Sequence, residues 1–397
     1  MERIRRHDLT PLWLLLAMSG MWALLHALVG GSFFGPTAYN TYTLQALAWR
    51  SGSLHLPQDY PYLELAIYEG NYYVSFPPVP SAVLFPLTFL FGSSTPDNLL
   101  VKLYAAGACE MMYFALKRAG YSRLSGGLLS FLFCFASSLL PMTLNGAVWY
   151  HAQALAFFLT VAAICLLAQD RPTPALLCYA LSVGCRPFNA LYALPLFVVY
   201  WLINARAKVP FSRTARALLP GVGLGLCVAA ALGLYNYARF GNVLEFGHNY
   251  LPEFSFQGGV QFSVSHVANH LKTFLWGLPL EMQNGALTFK RYGYSLLLAC
   301  PTLLLMLAGA GIDLCKRRMR WEKAAVLLAF FIHLFLLLLH RTFGGFQLGA
   351  RYAVDLVPYS FFYLLLTPEK KRLGKGEAVF LLAVFFFTVW GLTQVHI

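Results

Sequence analysis

Long apolar runs separated by short polar patches set the pattern of this chain. The runs cover roughly residues 11–29, 98–117, 124–142, 150–168, 173–186, 188–204, 215–238, 292–314, 322–340, 350–367 and 376–394. A helix crossing the hydrocarbon core needs roughly 20 apolar residues. The runs are too long for the strands of a membrane barrel. The pattern therefore predicts an all-α polytopic membrane protein with about eleven transmembrane helices. One further apolar stretch, 79–92, is short and proline-rich (Pro77, Pro78, Pro80, Pro86). It predicts a helix at the outer membrane surface rather than a span.

Composition agrees. Of 397 residues, 58% are hydrophobic and 11% charged, where a soluble domain carries about 25% charged residues. The opening MERIRRHDLTPLWLLL is basic, and its apolar run continues to about Gly30 without a small-residue cleavage site. That predicts an uncleaved first span. The net charge of +13 reads as membrane orientation, not nucleic-acid binding. The eight cysteines lie in or beside apolar runs, which predicts neither a disulfide framework nor a thiolate metal site. There is no internal repeat or low-complexity tract, so the reading is a single domain over 1–397, multi-pass in the plasma membrane.

Charge orients it. With the N-terminus cytoplasmic, the inner segments collect Arg3, Arg5, Arg6; Lys117, Arg118, Arg123; Arg171; Arg206, Lys208, Arg213, Arg216; Lys316 to Lys323; and Lys370 to Lys375. These are most of the 29 basic residues. Counting 79–92 as a span would turn the 117–123 and 316–323 clusters outward, against the positive-inside rule. Two long segments then face out: 30–97, the first external loop, and 239–291, the fourth, each with a juxtamembrane helix. Asp59, Glu64, Glu69, Asp97, Glu245, Glu253, Glu281 and Asp355 fall outside, half of the 16 acids.

Charges at membrane depth are costly and read as functional candidates. Arg186 sits in VGCRPFNALYALP, between arms of about 14–17 residues, or about 21–25 Å of helix. That falls short of a core of about 30 Å. Pro187 disfavours helix at Arg186, so the turn should lie in a cavity below the outer surface. A guanidinium there suits a phosphate; the alternative is an arginine snorkelling to the interface. In FGGFQLGARYAVDLVPY, Arg351 and Asp355 are spaced i,i+4 and predict a pair on one helix face. Asp355 would then orient Arg351 as a second anion contact, or the pair is structural. Glu110 lies mid-span with no partner evident in sequence.

The first external loop carries LELAIYEGNYYVSFPPVPS. Its prolines predict an irregular loop with a turn tip at Glu69-Gly70-Asn71. Glu64 and Asp59 precede the tip as the inward-facing acids. Tyr60, Tyr62, Tyr68, Tyr72, Tyr73 and Phe76 suit either the headgroup level or a sugar ring. In the second long loop, SHVANHLKTFLWG predicts an interfacial amphipathic helix with Val267, Leu271, Phe274 and Leu275 on one face and Ser265 as N-cap. His266 and His270 are spaced i,i+4, but no HExxH accompanies them. His248 and His151 lie near outer span ends, as substrate contacts or structural residues.

Three of these stretches together resemble the GT-C superfamily of membrane glycosyltransferases. The branch grouping protein mannosyltransferases, aminoarabinose transferases and rhizobial-type galacturonosyltransferases is the most similar. LELAIYEGNYYVSFPPVPSAVLFPL resembles its first-loop element, NYARFGNVLEFGH its "RFG" exit from the seventh span, and FQLGARYAVDLVP its late G-x-R-Y-x-x-D-x-x-P element. The resemblance implies a sugar donor on a polyprenyl phosphate, transfer on the external face, and an acidic first-loop residue near the acceptor. The branch often has an aspartate soon after the first span. GGSFFGPTAYNTYTLQALAW has no acid there, so the role would pass to Glu64 or Asp59.

The expectation is therefore a glycosyltransferase, with direct inverting displacement. Glu64 or Asp59 would serve as acceptor base. Arg186, Arg351, Asp355, Tyr72, Tyr73 and His248 would contact substrate. Partners would be the polyprenyl-phosphate sugar, membrane lipids and a glycan, lipid or protein acceptor, with no nucleic acid. No metal ligand set is evident, and the reading leaves room for a divalent metal (Mg or Mn). The rival readings are a lipid-linked-sugar transporter, with Glu110 as its intramembrane acid, and a GT-C scaffold that has lost its activity.

Overall fold

The computed structural model describes residues 8–252, 261–283, 285–342, 344–345, 347–367 and 371–395. Arg3, Arg5, Arg6, Glu253 and Lys370 lie outside the described residues. Each of the eleven apolar runs carries helix. In chain order these and the connecting helices are α1 (Thr10–Val29), α2 (Thr41–Arg50), α3 (Val79–Phe91), α4 (Asp97–Arg118), α5 (Arg123–Phe135), α6 (Leu139–Met142), α7 (Val148–Leu167), α8 (Pro172–Val183), α9 (Ala193–Arg206), α10 (Phe211–Phe240), α11 (Val267–Trp276), α12 (Leu296–Ala299), α13 (Pro301–Cys315), α14 (Trp321–Leu339), α15 (Val357–Leu365) and α16 (Lys375–Gln394). Among the described residues, seven helical stretches are long and apolar enough to cross a membrane, including 187–206, where a 3-10 turn leads into α9. Others, such as α5, α8 and α13, are apolar but shorter. The protein is a polytopic helical membrane protein.

α7 is the central helix. Some 89% of its apolar window is buried, against 6% for α10. α4 and α8 pack along it, and α10 packs on α8. A helix apolar all round and enclosed by others is what a bundle core requires. Here polar side chains at one end of α7 become enclosed too, so each must find a partner.

Segments assigned to one side by charge meet one another. Asp8 lies 3.6 Å from Arg123, Glu322 2.6 Å from Arg206, and Asp313 2.7 Å from Lys323. The opposite end holds the first long loop, and three of its features differ from the sequence expectation. It contains α2 besides α3. Its tip is a β-hairpin rather than irregular chain, β1 (Leu65–Tyr68) pairing with β2 (Asn71–Val74). The two-residue turn has positive φ at both positions, 49° at Glu69 and 76° at Gly70, the geometry that matches strand twist. Thirdly, Asp97 is 1% exposed and opens α4 rather than facing solvent.

The second long loop holds α11 and a second hairpin, β3 (Leu280–Gln283) with β4 (Ala286–Phe289). Ser265 is not the N-cap of α11: His266 holds that position without a side-chain cap bond, and Ser263, whose hydroxyl accepts from Ser265 N–H, caps the 3-10 turn Val264–His266 that leads into it. Phe274 is the buried residue of α11. The RFG stretch is structural. Arg239 donates to Val74 O at 2.8 Å and to Asn236 Oδ1 at 2.9 Å, fastening the end of α10 to β2.

Candidate functional site

The chain breaks at Arg186 as the proline requires. α8 ends at Val183, Arg186 is extended (φ −140°, ψ 103°), and a 3-10 turn runs over Pro187–Tyr192. A second break mirrors it: Arg351–Leu356 forms a 3-10 turn before α15. The two breaks face each other. Arg186 Nε and Nη2 donate to Asp355 Oδ2 at 3.0 and 2.9 Å. The expected Arg351–Asp355 pair is thus replaced. A 3-10 turn does not stack i over i+4 as an α-helix does, and Asp355 turns to Arg186 instead.

Arg351 reaches Asp355 through Gln153. The Gln153 amide donates from Nε2 to Asp355 Oδ1 and to Arg351 O, both at 3.2 Å, and its Oε1 accepts from Arg351 Nη1 at 3.4 Å. Arg351 Nη2 donates to Gly344 O at 2.6 Å, and its backbone N–H donates to Gln347 Oε1. Gly344 (φ +107°) and Gly349 (φ +93°) hold the loop in this shape. A Cβ on Gly344 would stand 2.6 Å from Arg351 Nη2, and one on Gly349 2.4 Å from Ser138 Oγ. The Tyr352 ring carries both cations, Arg186 at 5.1 Å and Arg351 at 4.9 Å from its centroid.

Accessibility separates the two arginines. The Arg186 side chain is 22% exposed and Asp355 2%, whereas Arg351 is enclosed at 5%. Two guanidinium ions and one carboxylate leave an uncompensated positive charge in a shielded place, with Arg186 as its open edge. Buried charge demands a partner, and an anion is the kind of ligand such an arrangement can hold.

The carboxylate of Glu64 lies at the same end of α7. Trp149 Nε1 donates to Glu64 Oε2 at 3.0 Å. Trp149 and Gln153 are i and i+4 on α7, on one face and about 5–6 Å apart between Cβ atoms. The half-buried Glu64 is flanked by rings: Tyr39 lies 5.4 Å from Trp149 and 6.3 Å from Tyr62, and Tyr60 6.2 Å from Tyr62. Asp59 is exposed and has no hydrogen bond or ion pair among the described residues. Tyr72 and Tyr73 pack within the hairpin and against its neighbours. Tyr72 packs with Leu56, Leu63 and Leu65, and Tyr73 lies 5.2 Å from the Phe240 ring.

His151 takes the opposite face of α7, within a buried polar cluster. Its Nε2 lies 3.3 Å from Tyr104 OH and its Nδ1 4.0 Å from Asp97 Oδ1, which accepts from Thr43 Oγ1 at 3.0 Å. His248 packs near Phe76, ring centroids 6.4 Å apart, and burial lowers its pKa. His340 stands against Tyr352, centroids 5.6 Å apart. His266 and His270 stack at 5.7 Å. Among the described residues no three His, Cys, Asp or Glu converge as a metal site, so none is assigned.

Trp149, Gln153 and His340 were not singled out in the sequence. The signal for the first two was there in NGAVWYHAQ, polar and amphipathic residues opening an otherwise apolar span. His340 is signalled only by its place at the end of another.

No protein-family model and no characterised protein matches the sequence. Among solved structures the chain is similar to the Archaeoglobus fulgidus oligosaccharyltransferase in the apo form, with TM-score 0.45 and 15% identity over 96% of this chain and 55% of that one. It is similar to the same enzyme in complex with Zn and sulfate, with TM-score 0.47 and 14% identity over 96% and 52%. It is also similar to ArnT from Cupriavidus metallidurans bound to undecaprenyl phosphate, with TM-score 0.43 and 14% identity over 89% and 59%. The chain spans between half and three fifths of the length of these structures.

Proposed function

We propose that this protein is a glycosyltransferase that moves a sugar from a polyprenyl-phosphate carrier to an acceptor at the external membrane face. One observation carries the reading. Trp149 and Gln153, one turn apart on α7, bring the Glu64 carboxylate and the Arg186–Asp355–Arg351 cluster to one helix face.

The chemistry divides between the two halves. The acceptor hydroxyl gives its proton to Glu64 as its oxygen attacks the anomeric carbon. The bond from that carbon to the phosphate oxygen breaks, and its electron pair leaves with the phosphate. The lipid phosphate gains one negative charge in the step. The open edge of Arg186 receives it, in a shielded place where a fixed cation acts most strongly. Asp355 and Gln153 position the guanidinium, and Arg351, over the same Tyr352 ring, adds its field. The other carboxylate on this face of α7, Asp355, is held by Arg186 and Gln153, so the expected course is a single inverting displacement, not a two-carboxylate route.

Incubating purified protein with polyprenyl-phosphate hexoses and following release of free polyprenyl phosphate by mass spectrometry tests the reading. Release that is lost in Arg186→Ala supports it; no release from any donor counts against it. The transporter reading has one observation of its own. Both carboxyl oxygens of Glu110 are buried without a hydrogen bond among the described residues. Under that reading Glu110→Gln stops movement of lipid-linked sugar; under the transferase reading it leaves phosphate release unchanged.

A further inference from the structure

We propose that His340 is a second ligand of the departing phosphate, beside Arg186, and that it takes up a proton as the phosphate gains charge. The identity of the anion rests on the transferase reading; the place of the imidazole rests on geometry.

His340 follows directly on α14 and packs edge-on to Tyr352, centroids 5.6 Å apart and planes at 83°. Arg186 sits 5.1 Å from the same ring. Phe262 closes another side, at 5.3 Å. The backbone of Thr342 occupies Nδ1 from both directions: Thr342 N–H lies 3.2 Å from it and Thr342 C=O 2.9 Å. A neutral ring with Nδ1 bare accepts from the N–H. A protonated ring donates to the C=O. One residue therefore serves both charge states without moving the ring, which leaves Nε2 as the nitrogen to meet a ligand.

The charge balance suits this device. Burial first, and then the nearby His248, Arg186 and His270, hold His340 down to about 4 against the opposing pull of the Thr342 backbone bond. The ring is thus neutral in the ligand-free protein at neutral pH. An anion bound between Arg186 and His340 reverses that penalty and draws a proton from solvent onto the imidazole. A phosphodiester donor carries one negative charge. The monoester product carries up to two, its second pKa being about 6. Uptake is therefore greatest for the product, and the proton returns to solvent when the lipid phosphate leaves.

Sulfate is the cleanest probe, since it stays a dianion across the range and cannot itself explain a pH slope. Its binding to the full-length protein would be measured by titration calorimetry between pH 8 and 5, in buffers of different ionisation enthalpy. For wild type, affinity should rise as pH falls, by at most about tenfold per unit, the limit for one linked proton. His340→Gln should bind several-fold more weakly with no proton uptake. His340→Lys should bind tightly with no pH slope, which separates charge from misfolding. His248→Gln should keep the slope. Unchanged sulfate affinity and proton uptake in His340→Gln would overturn the proposal, as would a slope lost in His248→Gln but kept in His340→Gln. Sugar transfer with His340-independent sulfate binding sinks this inference alone. His340-dependent binding without transfer from any donor sinks the transferase reading and leaves the anion site standing.

Discussion

Arg186 meets Asp355 across 169 residues of chain, two of its nitrogens converging on one carboxylate oxygen at 3.0 and 2.9 Å. The pair is both a structural clasp between two helix breaks and the rim of the anion site. Removing one partner leaves a charge stranded, which typically costs about 3–5 kcal/mol. Arg186→Ala should therefore lower the melting temperature and abolish donor binding together. The double variant Arg186→Met with Asp355→Leu should recover most of the stability and none of the donor binding. Thermal melting beside lipid-phosphate binding reads both effects. Recovery of binding in the double variant would mean that Arg186 is only a clasp.

Gln153 offers a second test of the same geometry. Its amide touches Asp355 and Arg351 at once, so Gln153→Leu strands buried polar groups at a cost of about 1–3 kcal/mol. Transfer should fall more than stability accounts for, because the guanidinium groups lose their bridge. Rates normalised to folded protein, determined by size exclusion, would show this. Rates that merely follow the folded fraction would reduce Gln153 to packing.

Gly344→Ala probes Arg351 without touching it. The new methyl would sit at φ +107° and 2.6 Å from Nη2. Backbone strain of this kind costs about 1–3 kcal/mol, and the guanidinium must also shift. The expected result is weaker donor binding with the bundle intact, measured as a rise in KM. An unchanged KM would mean that Arg351 contributes nothing to donor binding.

The histidines predict a pH dependence. His340 and His248 have pKa values lowered by burial, from about 6.5 in the unfolded chain. The unfolded state then binds more protons below that value, so stability falls as pH drops from about 6.5 toward 4. The melting temperature should decline over this window, and less steeply in His340→Gln. Equal slopes in both proteins would remove His340 from the account.

Much of this was legible in the sequence, and the exceptions have physical causes. Apolar period and length located all the long helices, because lipid allows the backbone few alternatives. The break at Arg186 followed from Pro187. α2 was hidden, since TYTLQALAWR is short and too polar for a hydropathy reading to catch. The hairpin at 65–74 was masked by nearby prolines, although Glu69-Gly70 did mark its turn. The Arg351–Asp355 pair failed because i,i+4 spacing presumes an α-helix, and a 3-10 turn stands there. Partners far apart in the chain, Glu64 with Trp149 and Asp355 with Gln153, leave no local mark at all. Asp97 reads as a loop acid until α2 and α7 close over it.

The central claim is that Glu64 and Arg186 belong to one reacting site. A single-turnover experiment tests it most directly: donor is bound first, acceptor added, and free polyprenyl phosphate followed in time for wild type and Glu64→Gln. Loss of a general base typically costs about a hundred- to ten-thousandfold. The account predicts such a fall in the rate of phosphate release, with donor affinity unchanged. Release at the wild-type rate from Glu64→Gln would contradict it.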